Sequence, residues 1–188
     1  MTNKYKLPLA FFAVAILFLS SCKKEDPEIP NEEELITTVT YTLTPQGGGD
    51  DVEFIFRDLD GDGGDAAVII NGTLQANTVY DGSLELLNES EAPVEDITEE
   101  IQEEDADHQF FFSVSNGLNL NITYDDVDGN NNPVGLATVA TSGEASQGQL
   151  TIILRHEPEK SAGGVSDGDI TNAGGETDIE VTFDVTIE

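Results

Sequence analysis

The sequence predicts an all-β fold, an antiparallel sandwich of two sheets spanning residues 35–188. Three observations lead there. Apolar and polar residues alternate with period two in one segment after another. Clusters of Gly, Asn and Asp stop each run. Long helical patterns, which a βαβ fold needs between its strands, are too few.

The first strand sets Leu35, Val39, Tyr41 and Leu43 on one parity and Thr38, Thr40 and Thr42 on the other. Pro45 and Gly47-Gly48-Gly49 end it. Val52, Phe54 and Phe56 follow, against Glu53 and Arg57. A third strand runs near residues 66–74, with Val68, Ile70 and Leu74 in phase. Leu84 and Leu86 mark a fourth. Phe110, Phe112 and Val114 mark a fifth, and Leu118, Leu120, Ile122 and Tyr124 a sixth. Residues 135–141 are a further candidate, and Leu150, Ile152 and Leu154 carry the next. The last strand is the cleanest: Ile179, Val181, Phe183, Val185 and Ile187 alternate with Glu180, Thr182, Asp184, Thr186 and Glu188. Each run has one apolar face, so two sheets must meet to bury both. About eight or nine such strands suggest an immunoglobulin-like antiparallel β-sandwich, with a closed barrel as the alternative.

One stretch departs from the alternation. Residues 89–107 hold ten acids, and Val94, Ile97 and Ile101 fall at helical spacing after Pro93. The reading is a short helix across one end of the sandwich, or an acidic disordered lid, since like charges four residues apart repel.

The N-terminus reads as an address. In residues 1–21, Lys4 and Lys6 precede an apolar run over 7–19. The run is short for a membrane span and is built like a secretory signal. It ends in Leu19-Ser20-Ser21-Cys22, which resembles the lipobox of bacterial lipoproteins. The resemblance implies cleavage before Cys22, a diacylglycerol on its thiol and a further acyl chain on its new amine. Each buried methylene contributes about 0.8 kcal/mol, so three chains anchor stably. Residues 22–34 then form an acidic tether interrupted by Pro27 and Pro30. Lys23-Lys24-Glu25-Asp26 is similar to signals beside the lipidated cysteine in lipoproteins that Bacteroidota export to the outer leaflet of the outer membrane. This implies surface display, with the periplasm-facing leaflet as the alternative.

The whole chain resembles small acidic, flavobacterial-type lipoproteins of unknown function. The similar stretches include 34–45 (ELITTVTYTLTP), 57–64 (RDLDGDGG), 84–101 (LELLNESEAPVEDITEEI), 154–158 (LRHEP) and 168–187 (GDITNAGGETDIEVTFDVTI). Some of that group carry a label linking them to the type 1 periplasmic binding fold. That fold is two-lobed and needs crossover helices, and the strand pattern speaks against it.

Composition narrows function. Asp plus Glu number 38 against 7 Lys plus Arg, a formal charge of -31. Nucleic acid is therefore not an expected partner. A single Cys excludes a disulfide scaffold and a four-cysteine metal site. There is no G-x-S-x-G, H-E-x-x-H or phosphate loop, and Cys22, if lipidated, cannot be a nucleophile.

Calcium is the one candidate cofactor. Asp58, Asp60, Asp62 and Asp65 lie on a glycine-rich turn whose start resembles a calcium loop. Ile69 stands where a helix–loop–helix site needs Glu, which leaves a looser turn site or a bare acidic hairpin. Asp126, Asp128 and Asn130 repeat the alternate spacing, but Asn131 replaces the expected Gly. His108 and His156 share the parity of their strands' apolar residues. With Asp107 or Glu157 they could bind zinc or nickel; otherwise they are partly buried, hydrogen-bonded imidazoles.

The expectation is a non-catalytic, lipid-anchored cell-envelope β-sandwich acting in surface structure, adhesion or accessory binding. Its partners would be the membrane, through Cys22, and a cell-surface protein or polymer. A solute- or polymer-binding lipoprotein is the main rival, and a metal-dependent hydrolase comes third.

Overall fold

A computed structural model describes residues 1, 35–61, 64–90 and 92–188. The expected signal peptide, Cys22 and the whole tether lie outside the described residues, as does Asp62. Within 35–188 two antiparallel-rich sheets pack against each other, which is the expected sandwich.

In chain order the elements are β1 (Thr38–Pro45), β2 (Val52–Arg57), β3 (Val68–Ile70), β4 (Thr73–Leu74), β5 (Val79–Asn88) and β6 (Glu95–Asp96). There follow α1 (Ile97–Glu103), β7 (His108–Val114), β8 (Leu120–Tyr124), β9 (Ala137–Ser142), β10 (Ser146–His156) and β11 (Glu176–Ile187). One sheet runs β3-β2-β1-β5-β9-β8, with β6 also on β5; the other runs β4-β11-β10-β7. The described strands outnumber the expected eight or nine because β3, β4 and β6 are only two or three residues long.

The third expected strand is corrected. Its residues divide between β3 in the first sheet and β4 in the second. Val68 and Ile70 are exposed, and only Leu74 enters the core. β3 is the edge of the wider sheet, which a four-stranded partner does not cover. Leu35 is likewise exposed, because pairing starts only at Thr38.

Elsewhere the alternation holds. Val39, Tyr41, Leu43 and Phe54 meet Leu150, Ile152, Leu154, Val181 and Phe183 in one cluster. Phe54 packs edge-on against Phe183, with centroids 5.6 Å apart. The Tyr41 hydroxyl shares a 2.8 Å hydrogen bond with Thr138 inside that core. Burial pushes the Tyr41 phenol up to about 12, against the smaller opposing pull of Thr138.

The acidic stretch resolves to the helix. Asp96 accepts from the Thr98 amide at 3.0 Å and so caps α1. Ile97 and Ile101 are buried, while Val94 precedes the helix and is exposed. Thr98 does a second job. Its hydroxyl meets the Leu86 N–H at 2.9 Å and C=O at 3.2 Å. β9 stops pairing with β5 at Ser83 and pairing with β6 begins at Leu87, so Thr98 satisfies the backbone of Leu86 in between. At the same end Arg57 grips Glu89 with two nitrogens, at 2.8 and 3.2 Å.

The segment between β10 and β11 folds over the outer face of the second sheet. Phe111, Val165 and Ala173 form a separate buried cluster there, flanked by Ile153, Ala162 and Ile170. The strands β7 and β10 are therefore apolar on both faces, which explains their consecutive apolar residues.

Candidate functional site

The aspartate turn is held by its own backbone. Asp58 Oδ1 accepts from the Gly61 amide and Asp60 Oδ2 from the Asp65 amide, each at 3.0 Å. Asp65 is exposed. Asp58 and Asp60 line a cleft of about 490 Å³ that also reaches Ile36, Phe56, Ser90 and Asp178.

The second acidic loop is tied differently from its spacing. Asp126 accepts from the amides of Gly135 at 2.7 Å and Ala137 at 2.9 Å. Asp128 accepts from the amides of Asn130 at 2.8 Å and Asn132 at 2.9 Å. Its other oxygen meets Lys160 Nζ at 3.2 Å. Asn130 thus contributes its backbone, and the cation on Asp128 is an ammonium. Burial pushes the Asp128 carboxyl up, but the two amides and Lys160 together outweigh it and hold the group below its ordinary value.

Beside this loop lies a cleft of about 650 Å³. Phe112, Ile122 and Tyr124 supply its apolar wall; Asp125, Asp126, Asn131, Ser166 and Asp167 supply polar atoms. Phe112 and Tyr124 meet edge to face at 6.2 Å. Tyr124 donates to the Phe110 carbonyl at 2.7 Å and accepts from Gln109 Nε2 at 3.2 Å. Gln109 also donates to the Val165 carbonyl at 2.9 Å, fixing the covering segment to the cleft wall.

The histidines converge. β7 and β10 pair in a register that sets His108 directly opposite His156, and their rings lie 4.5 Å apart. The third member is Asp178, neither Asp107 nor Glu157. Those two residues instead share a backbone hydrogen bond of 2.6 Å. Asp178 Oδ2 is 4.0 Å from His108 Nε2, and Oδ1 is 3.9 Å from His156 Nδ1. All three side chains are almost wholly buried.

A bulge brings Asp178 there. Leu154 pairs with Ile179 but Arg155 pairs with Thr177, so Asp178 is the extra residue in β11. Strict alternation would turn it outward, opposite to Ile179. The bulge turns it in, a common use of this irregularity near sites. His108 Nδ1 lies 3.1 Å from the Glu104 carbonyl. A carbonyl only accepts, so Nδ1 carries the proton. Burial lowers the His108 pKa, with a smaller push from His156 and an opposing pull from the Glu104 carbonyl. In that tautomer Nε2 faces Asp178.

Comparison with family models, curated proteins and solved structures finds no match to this chain. Two of the key residues had no signal in a linear reading. Asp178 depends on the bulge, and Lys160 lies in a segment without periodicity.

Proposed function

We propose that this chain is a lipid-anchored, non-catalytic binding protein of the cell envelope, whose 650 Å³ cleft takes a cationic segment of a surface peptide or polymer. The cleft carries the reading. Its polar wall is dominated by acceptors: the carboxylates of Asp125, Asp126 and Asp167. Its apolar wall offers the rings of Phe112 and Tyr124. Carboxylates and aromatic faces both attract cations. The formal charge of -31 draws such a ligand in from a distance. The described lining residues include no histidine or cysteine to make a nucleophile–base pair.

The Asp125→Asn/Asp167→Asn double variant tests the cleft, because both side chains line it. Binding of a lysine-rich peptide at physiological salt is expected to weaken roughly tenfold. Unchanged affinity, with the peptide's contacts spread over the whole surface, defeats the reading.

Anchoring rests on Cys22 and the apolar run before it. Among the described residues no helix is long and apolar enough to cross a membrane. Cells fed a clickable fatty acid are expected to label the protein, and Cys22→Ser is expected to abolish the label and release the protein from membranes. Retained labelling in the variant refutes the anchor. Protease added to intact cells separates the leaflets: cleavage supports surface display, and full protection places the protein inward.

A further inference from the structure

We propose that His108, His156 and Asp178 form a binding site for a late first-row transition-metal dication, of which zinc(II) is the natural probe. The chain has only two histidines, and the fold brings both to one point. They arrive on neighbouring strands in direct register, and Asp178 arrives on the next strand through a bulge. One ligand atom from each residue lies within 4.8 Å of the others.

The donor set selects the metal class. Two imidazole nitrogens and one carboxylate oxygen suit zinc, copper, nickel or cobalt. Calcium prefers six or more oxygens and is a poor fit. Zinc ligands at about 2.0–2.1 Å in a tetrahedron stand about 3.3 Å apart. The three donor atoms lie within 4.8 Å of one another, so the widest pair needs to close by up to about 1.5 Å.

The outer shell is in place. The Glu104 carbonyl holds Nδ1–H of His108, which orients the ring with Nε2 toward Asp178. Three protein donors leave a fourth tetrahedral position. The 490 Å³ cleft walled by Asp58 and Asp60 also touches Asp178, whose side chain is itself buried, so those two carboxylates raise the cation concentration beside the site.

The experiment uses the full chain, stripped of metal with a chelator. Zinc is titrated calorimetrically in excess calcium, which saturates diffuse surface carboxylates. One tight equivalent per chain is expected. Asp178→Asn, nearly isosteric, and His156→Ala are each expected to weaken it by at least about 100-fold, since loss of an outer-shell partner alone costs about 10–100-fold. Circular dichroism establishes that each variant is folded. Two readouts on the unmodified chain guard against variants that fail to fold. Cobalt(II) is expected to show the intense visible bands of a four-coordinate ion, and zinc is expected to shift the ¹⁵N resonances of both histidine rings. Equal zinc affinity in folded variants overturns the proposal. So does unshifted ring nitrogen in the unmodified chain, or cobalt spectra no stronger than the hydrated ion.

Discussion

Replacing Lys160 with methionine is expected to destabilise the fold by about 3–5 kcal/mol, read as a lower midpoint in urea unfolding. The side chain is only 5% exposed, and its ammonium has three acceptors. They are the Asp105 carbonyl at 2.6 Å, Asp128 Oδ2 at 3.2 Å and the Pro133 carbonyl at 3.1 Å. Asp105 follows α1, Pro133 closes the acidic loop, and Lys160 opens the covering segment. One side chain therefore joins three separate pieces of chain. Methionine fills the space but leaves the buried Asp128 carboxylate without its cation and two carbonyls without the ammonium donor. The pH dependence provides a second check. Asp128 has a depressed pKa in the folded state, so its contribution is complete above the ordinary carboxylate value. It is lost as pH falls from there through the folded value. The wild type is expected to lose stability in that acid window, and the Lys160→Met variant to lose less. A destabilisation below about 1 kcal/mol, with an unchanged acid slope, shows that the network is dispensable.

Gly175→Ala is expected to cost about 2–4 kcal/mol and to loosen the His108–His156–Asp178 cluster. Gly175 has φ +69, and a Cβ there falls 2.2 Å from the His156 carbonyl oxygen. That oxygen belongs to the backbone, so no side-chain rotation relieves the clash. The start of β11 must shift, and Asp178 is three residues on. Gly174 is a built-in control. Its φ is +60, but a Cβ added there meets nothing within 4 Å. Gly174→Ala should cost only the left-handed penalty of about 1–2 kcal/mol. The measurements are thermal melts of both variants and the zinc titration of each. Equal melting temperatures for the two would show that the close approach to His156 is unimportant.

The sheets were legible because a half-buried strand must alternate. β1, β5, β10 and β11 each carry enough residues for that rule to show. The same rule misled at Val68 and Ile70, because alternation cannot tell a covered position from the sheet edge. It was silent on Phe111 and Ile153, whose burial depends on a segment with no period of its own. The helix was visible in Ile97 and Ile101, and its rival reading was removed by contacts from Thr98 and Asp96 that only the fold creates.

The candidate sites divide in the same way. Parity placed His108 and His156 on the inner face of their strands. It could not supply the register that makes them neighbours, nor the bulge that turns Asp178 inward. Alternate spacing suggested a calcium set at Asp126 and Asp128, but spacing along a loop does not show which donors fill each oxygen. Backbone amides and Lys160 fill them.

The buried position of Lys160 also changes how copies of the protein meet. Residues 35–188 contain only three positive side chains: Arg57, Arg155 and Lys160. Lys160 is spent inside, and Arg57 is clasped by Glu89. Arg155 donates to the Gly175 carbonyl. A neighbouring copy thus meets a nearly uniform polyanion whose cations within 35–188 are already engaged. At physiological ionic strength the repulsion extends about 8 Å from each surface. Molecules held at high density would behave as a self-spacing layer, dispersed by charge and drawn together only as divalent ions accumulate between them.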